Sequence, residues 1–258
     1  IASTWHKLKK HRFLFEELVK RDFQKKYKRT VLGMLWSLLS PLFMLTVMAL
    51  VFTQFFGRST PHYIVYMFAG NLVYSYFKDA TSGGMGSLMA KAGLFTKVNV
   101  PKYLFLLSRN VSALINFALT LVIFFLFVAI DGIAFTWKFF LLLYPIVCLV
   151  IFNIGVGLIL SAMFVVFRDI QYLYDIFTLA LMYFSAIFYT IDSYAKNFQN
   201  LFYLNPVFVY ITYFRRIVIE GSIPGIYVHG LCALYALVAL LIGGFIYRRY
   251  NYRFLYYV

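Results

Sequence analysis

Residues 20–42 read KRDFQKKYKRTVLGMLWSLLSPL, in which a strongly basic stretch runs directly into an apolar one. From Val31 to Phe56 the chain carries no charged side chain. About 20 apolar residues are enough to cross the hydrocarbon core of a bilayer as a helix. The pattern therefore predicts a membrane-spanning helix over residues 31–56. Ten of the 24 Lys and Arg residues precede it, and since short basic flanks stay on the cytoplasmic side, we expect the N-terminus inside the cell.

The composition predicts a polytopic membrane protein. Hydrophobic residues make up 63% of the 258 residues and aromatic residues 21%, and the mean hydropathy is +0.80, all above what a soluble surface tolerates. A net charge of +15 can indicate a nucleic-acid partner, but here the cations cluster beside apolar segments, where they face anionic lipid headgroups. The sequence has no nucleic-acid-binding motif, so we expect membrane lipids and no nucleic acid as partners.

The alternation of apolar and charged segments predicts an all-α integral membrane protein with six transmembrane helices. An N-terminal amphipathic interface helix, residues 1–30, would lie on the cytoplasmic membrane surface as an anchor, as a docking surface for a partner, or as both. Residues 31–258 would form one transmembrane domain with a Gly-rich and basic cytoplasmic loop at 83–102. The predicted spans cover approximately residues 31–56, 62–80, 103–130, 137–167, 172–191 and 224–247.

The stretch after the fifth span has two possible interpretations. Residues 197–214 are uncharged and could form a seventh span, but this would leave the basic tail outside the cell. Asn205-Pro206 also interrupts the run, because proline disfavours helix at the residue before it. We therefore expect residues 192–221 to form two short re-entrant helices at the outer face, where they must be buried in protein or line a cavity. With six spans, cytoplasmic segments hold 17 Lys and Arg and external segments five, and both termini are cytoplasmic.

The sequence lacks the residue patterns of a nucleotide-hydrolysing or metal-dependent enzyme. It contains no Walker A pattern, so we expect no ATP hydrolysis by this chain. The four histidines are scattered without ligand spacing, which predicts no metal site. A proton-driven carrier usually has an ionisable residue deep in the bilayer, and none is evident. A polytopic glycosyl or phosphoglycosyl transferase, the alternative from another class, would need acidic residues clustered near the membrane surface, and the sequence offers no such cluster.

Aromatic side chains are abundant, with 22 Tyr and 30 Phe. Interface belts and lipid-facing packing account for most of them. A minority could bind a glycan, because sugar rings present C–H faces that stack on aromatic rings and Tyr hydroxyls can bond sugar hydroxyls. Weak, repeated contacts of this kind suit a polymer that has to slide. The candidates on the first and fifth spans are Trp36, Phe43, Tyr172, Tyr183, Phe184 and Tyr189.

Residues 20–42 resemble the entrance signature of membrane subunits of bacterial polysaccharide-exporting ABC transporters, the permeases for O-antigen, capsule and teichoic acid. That signature contains Lys-Arg-Asp, a basic-Tyr pair, Thr or Ser, Leu-Gly, Trp and Pro-Leu. It is matched at Arg21, Asp22, Tyr27, Thr30, Leu32, Gly33, Trp36, Pro41 and Leu42. Three later elements are similar to family elements in the same order: Lys97-Val98 with Pro101-Lys102, then Arg168-Asp169-Ile170, then Leu204-Asn205-Pro206. Val100 stands where the family usually has Phe.

The resemblance implies a multi-pass permease of the bacterial inner membrane that works as a homodimer, with a tunnel at the interface of the two subunits. Two copies of a separate ATP-binding subunit would drive it, and these partners would hold ATP and Mg while this chain needs no cofactor. Spans one and five would line the tunnel, and the re-entrant helices would gate it. The cargo would be a polysaccharide linked to a lipid diphosphate. Efflux of a small amphiphile by the same dimer is the alternative within this fold.

The resemblance also implies three sets of site residues. The ATPases would dock on the surface helix and on the 83–102 loop, with Lys91, Lys97, Pro101 and Lys102 as coupling residues. The outer gate would comprise Asn205, Pro206, Arg215 and Arg216. A basic entrance would attract the anionic headgroup of the cargo, unless its cations serve only to orient the chain. The entrance residues are Lys20, Arg21, Lys25, Lys26, Lys28 and Arg29.

Topology labelling tests the six-span arrangement. A cysteine is placed at Tyr203 or, separately, in the tail at Tyr257, and spheroplasts are treated with a membrane-impermeant maleimide. We expect labelling at position 203, and labelling at position 257 only after the membrane is permeabilised, because the basic tail should stay inside. A tail that reacts from outside would mean that residues 197–214 form a further span.

Overall fold

Helices make up almost all of the structure, a computed structural model that describes residues 12–27, 32–56, 60–89, 101–192 and 194–250. No β-strand forms within these residues. Short 3₁₀ segments at Gly33–Leu35 and Trp137–Leu142 lead into two of the helices. The helices, in chain order, are α1 (Arg12–Tyr27), α2 (Trp36–Phe56), α3 (Tyr63–Gly86), α4 (Tyr103–Ile130), α5 (Leu143–Val166), α6 (Ile170–Phe184), α7 (Lys196–Phe202), α8 (Pro206–Val218) and α9 (Ile226–Tyr250).

Four helices of the described residues are long and apolar enough to cross a membrane. They coincide with the first, third, fourth and sixth predicted spans, so the prediction of an all-helical protein with several apolar spans is confirmed. Crossings by α3 and α6, and the re-entrant arrangement of α7 and α8, stay predictions. The four apolar segments are Trp36–Thr53, Tyr103–Ile130, Trp137–Val166 and Ile226–Arg249.

The helix α3 is more polar than the other long helices because it carries Asn71, Ser75, Lys78 and Asp79. Fifteen of its 24 residues are nevertheless buried. It packs extensively against α4 and α5, so much of its surface meets protein and not lipid. A helix in this position needs less apolar character than one surrounded by lipid.

The end of α3 lies further along the chain than the sequence predicts. The loop was predicted over residues 83–102, but helix continues through Gly83 and Gly84 to Gly86. A Cβ atom on Gly84 would lie 3.3 Å from the Cα atom of Gly157 on α5, so glycine here permits close packing of two helices. Tertiary contact therefore overrides the low helix propensity of glycine. Residues 90–100 of the predicted loop lie outside the described residues.

The helix α6 is shorter than the predicted span over residues 172–191, because it ends at Phe184. The Ser185 hydroxyl donates to the Leu181 carbonyl oxygen at 2.6 Å, and Ala186 has a left-handed backbone with φ of 49°. These two residues turn the chain out of the helix. Ile187 and the residues around it then pack into the main hydrophobic core.

The helix α1, part of the predicted interface helix, is attached to α4. Leu18 on α1 is buried together with Leu104 and Phe105 at the start of α4. Asp22 is only 5% exposed and accepts a hydrogen bond from the Ser108 hydroxyl at 3.4 Å. The acid of the entrance signature, Asp22, therefore holds α1 against α4. Residues 1–11 and 28–31 of the predicted surface helix and its connection lie outside the described residues.

The helices α5 and α9 pack backbone against backbone. A Cβ atom on Gly155 of α5 would lie 2.6 Å from the carbonyl oxygen of Ala239 on α9, and one on Gly243 would lie 3.0 Å from the carbonyl carbon of Gly155. Ala239 and Gly243 are four residues apart, so they form one small-residue face of α9. Small residues at this spacing are the usual means by which membrane helices approach closely.

Substitution at this contact tests its importance. We expect Gly155→Ala and Gly243→Ala to lower the free energy of unfolding by about 1–3 kcal/mol, because the added methyl group forces the backbones apart. Thermal unfolding of the purified protein in detergent measures the change. Gly244→Ala is the matched control, since a Cβ atom there meets no atom within 4 Å. An equal loss in all three variants would contradict the proposed close contact.

Candidate substrate passage

The helix α2 exposes an apolar face that carries two of the predicted aromatic residues. Phe43 is 57% exposed, and its ring centroid lies 6.5 Å from that of Trp36, which is also exposed. Met44 and Val47 are exposed as well. Within the chain α2 packs mainly against α3 and α4, so this apolar face is left uncovered.

The helix α6 exposes most of its surface and buries only Tyr174 and Thr178. Tyr172 and Tyr183 are 71% and 55% exposed and are eleven residues, or three helical turns, apart. With the exposed residues Ile176 and Leu179 between them they form one line along the helix, about 16 Å long, which we call the aromatic stripe. The predicted residue Phe184 is exposed beside the end of this stripe.

Tyr189 differs from the other predicted aromatic residues because it is half-buried. Its hydroxyl donates to the Tyr183 carbonyl oxygen at 2.8 Å. Its ring centroid lies 6.4 Å from those of Tyr194 and Phe202. Tyr189 therefore braces the chain between α6 and α7 at the end of the aromatic stripe.

Asn205 connects the predicted gate to the end of α6. Its side-chain oxygen accepts hydrogen bonds from the backbone N–H groups of Val207, at 3.0 Å, and Phe208, at 3.4 Å, so it caps the N-terminus of α8. Its Nδ2 atom donates to the Phe184 carbonyl oxygen at 3.2 Å and to the Ser185 hydroxyl at 2.9 Å. Pro206 occupies the first turn of α8, where its missing N–H group costs nothing. The Asn-Pro pair thus begins a helix as well as interrupting the preceding one.

Arg215 lies inside the subunit, although the sequence places it among the gate residues. It is 6% exposed, and it is one of ten buried residues among the 13 of α8. Its guanidinium group donates to the carbonyl oxygens of Tyr66 at 3.1 Å, Ala186 at 2.9 Å and Ile187 at 3.1 Å. The Cζ atom also lies 3.4 Å from the centroid of the Tyr66 ring. Arg215 therefore joins α8 to α3 and to the turn that ends α6.

Arg216 is more accessible than its neighbour. It is half-buried and donates to the Tyr203 hydroxyl at 3.4 Å. Tyr203 in turn precedes the Asn205 cap, and its carbonyl oxygen accepts a hydrogen bond from the Tyr235 hydroxyl of α9 at 2.8 Å. Arg216 is thus the predicted gate cation that lies nearer the surface.

The predicted entrance is only partly described. Lys20 is exposed on α1, and Arg21 is half-exposed with its guanidinium group 3.6 Å from the Asp22 carboxylate. These cations lie on the helix that Asp22 attaches to α4. Lys25 and Lys26 belong to α1, but their side chains are not among those described. Lys28 and Arg29 lie outside the described residues.

Among the predicted coupling residues, Pro101 and Lys102 precede α4 and are half-buried. Burial lowers the pKa of Lys102, because a charged ammonium group loses hydration there. Lys91 and Lys97 lie outside the described residues.

A cavity of about 460 Å³ between α2, α3 and α4 was not predicted from the sequence. Its lining combines apolar side chains with several polar ones, and we call it the polar cleft. Trp36 and residues of α3 and α4 line it. The available signal was the spacing of Asn71, Ser75 and Asp79, which recur every four residues and so share one face of α3. Asn116 and Thr120 supply the same spacing on α4.

A family model described as "ABC-2 type transporter" matches residues 14–219, which is most of the chain. The chain belongs to the ABC-2 type transporter family. The matched region begins in α1 and ends just after α8, so it contains both aromatic faces, the Asn205 cap and Arg215.

Several known proteins resemble the chain over most of its length. An O-antigen export system permease protein of Myxococcus xanthus is 28% identical over 225 residues, 84% of each chain. One of Klebsiella pneumoniae is 24% identical over 249 residues, 94% of this chain and 95% of that protein. A polysialic acid transport protein of Escherichia coli is 25% identical over 237 residues, 90% of this chain and 92% of its own length.

Substitution of Asn205 tests how this ABC-2 subunit fixes α8. We expect Asn205→Ala to lower the free energy of unfolding by about 1–2 kcal/mol, because the helix loses its N-cap. Asn205→Asp retains the capping oxygen but loses the donor to Phe184 and Ser185, so its effect isolates the link to α6. Hydrogen exchange of the Val207 and Phe208 amides reports the cap directly. We expect faster exchange in Asn205→Ala only, and Asn200→Ala, an exposed position on α7, is the control.

Proposed function

We propose that this ABC-2 subunit is the membrane-spanning part of an ATP-driven exporter, which moves a lipid-linked polysaccharide from the cytoplasm across the bacterial inner membrane. The aromatic stripe on α6 carries the proposal. Tyr172 and Tyr183 are large side chains exposed on a helix that buries only two of its own residues. The relatives, O-antigen export permeases and a polysialic acid transport protein by name, support a polysaccharide as the class of cargo.

The chemistry of the stripe suits a moving glycan. An aromatic face attracts the C–H face of a sugar ring, and a Tyr hydroxyl can both donate and accept a hydrogen bond. Two such residues about 16 Å apart offer successive contacts of similar strength along one line. A polymer can exchange one contact for the next without a large barrier.

The proposed tunnel lies between two copies of the subunit. The exposed faces of α2 and α6 would line it, so that Trp36 and Phe43 join the aromatic stripe around the glycan. The outer gate would be built from α7 and α8 with Asn205, Pro206 and Arg216. Arg215 would support the gate from inside each subunit, because its three hydrogen bonds hold α8 in place.

The proposed energy source is a partner. Two copies of an ATP-binding subunit would hold ATP and Mg. They would dock on the cytoplasmic side, where both termini of this chain are expected to lie. The coupling residues would be those of α1 and of the loop before α4. Lys20, Arg21 and the cations that follow would attract a lipid diphosphate to this side by charge.

Deletion of the subunit tests the proposed export. We expect cells that lack surface glycan and accumulate lipid-linked glycan inside. Complementation with Trp36→Ala or Tyr183→Ala should restore export at a rate lowered roughly two- to tenfold, the scale of one lost aromatic contact. Surface glycan and the inner pool of lipid-linked glycan are measured, with subunit abundance checked by immunoblot.

Phe245→Ala is the matched control, since Phe245 is also an exposed aromatic residue but lies on α9. Normal surface glycan in the deletion strain would refute the export of polysaccharide and favour efflux of a small amphiphile. Loss of the lipid-linked glycan itself would instead point to a transferase. Equal rates in Tyr183→Ala and Phe245→Ala would remove the aromatic stripe from the transport path.

A further inference from the structure

The polar cleft between α2, α3 and α4 combines chemical groups that are unusual inside a membrane protein. Its lining includes the carboxylate of Asp79, the amides of Asn71 and Asn116, and the hydroxyls of Ser75 and Thr120. The Trp36 ring lies at its edge. Polar groups among transmembrane helices are costly, and they commonly mark a site of function.

The hydrogen bonds within the cleft leave capacity for a ligand. The Ser75 hydroxyl donates to the Asn71 side-chain oxygen at 3.4 Å, so the Asn71 Nδ2 atom keeps both of its own hydrogens as donors. The Thr120 hydroxyl donates to the Asn116 carbonyl oxygen at 2.9 Å and keeps its lone pairs as acceptors. The cleft therefore offers donors and acceptors side by side.

The size and charge of the cleft narrow the class of ligand. Its volume of about 460 Å³ lies within the range of roughly 300–1,000 Å³ that is typical of ligand pockets. A carboxylate repels phosphate groups but accepts hydrogen bonds from hydroxyls. The Asn71 amide, the hydroxyls and the Trp36 ring together match the hydroxyls and the C–H face of a sugar, whereas an acyl chain would make no use of the two Asn71 donors.

We propose that the polar cleft is a binding site within each subunit for one sugar unit of the cargo. This inference rests on the proposed function and adds a second site to it. Trp36 belongs both to the exposed face of α2 and to the lining of the cleft, so the site adjoins the proposed tunnel. A sugar bound here would leave the cleft past Trp36 to reach the aromatic stripe.

Photo-cross-linking in cells tests the site. Benzoylphenylalanine replaces Ser75 in the cleft, in the complete exporter and in cells that produce the glycan of this chain's own strain. Val122 on α4, an exposed residue away from the cleft, is the matched control, and Tyr183 on the aromatic stripe is the reference for the tunnel. After irradiation the purified subunit is examined for attached carbohydrate by periodate oxidation and hydrazide staining.

We expect attached carbohydrate at position 75 and at position 183 but not at position 122. Adding Asn71→Leu should lower the yield at position 75 by about fivefold, the scale of one lost hydrogen bond, and leave the yield at position 183 unchanged. That unchanged yield also shows that the variant folds and receives cargo.

Three results would overturn the inference. Carbohydrate at position 183 without any at position 75 would leave the proposed function intact and refute the cleft as a sugar site. Phospholipid attached at position 75 in place of carbohydrate would make the cleft a lipid site. No carbohydrate at any position, together with normal surface glycan in the deletion strain, would refute the proposed function and this inference with it.

Discussion

The hydrogen bonds of the buried Arg215 guanidinium group fix the region around α8 and the end of α6, and much of the candidate site depends on them. A cation removed from water loses a large hydration energy, and this loss must be offset by nearby dipoles or charges. Three carbonyl oxygens and the face of Tyr66 supply that compensation. Two of the carbonyls belong to the turn that ends α6, and the third belongs to α3. One side chain therefore fixes α8, α3 and the end of the aromatic stripe relative to one another.

The hydrogen bonds at the C-terminal end of α6 explain why this helix can expose so much of its surface. A helix with only Tyr174 and Thr178 buried gains little from packing along its length. It is instead held at its end. There Asn205 donates a hydrogen bond to the Phe184 carbonyl oxygen. Arg215 donates to the carbonyl oxygens of Ala186 and Ile187. Its aromatic residues are thus available for contacts outside the subunit without loss of position.

Charge and apolar length in the sequence predict the helical membrane fold and four of its long helices. They do not predict where α6 ends, because the run from Ile176 to Ile191 is uncharged throughout and the turn at Ser185 has no charge or proline to mark it. They also mislead at Gly83–Gly86, where contact with α5 keeps helical a stretch whose composition indicates a loop.

The sequence predicts part of the candidate site, as it predicts part of the fold. The exposed aromatic residues of α2 and α6 follow from the family resemblance and from their place on apolar helices. The family resemblance places Arg215 in a gate, and only the fold reveals that three carbonyl oxygens converge on its guanidinium group. The polar cleft was missed because its residues come from three helices, and the regular spacing on α3 has meaning only once α2 and α4 lie beside it.

The backbone contact between α5 and α9 has a consequence for how such subunits diversify. Where two main chains touch, neither helix can slide or rotate against the other without steric overlap, so the pair moves as one rigid body. The peripheral helices α2 and α6 pack against far less of the rest of the chain. Mutations that adapt a subunit to a wider or differently branched cargo can therefore accumulate on the periphery, while the glycines of the central pair stay fixed by geometry alone.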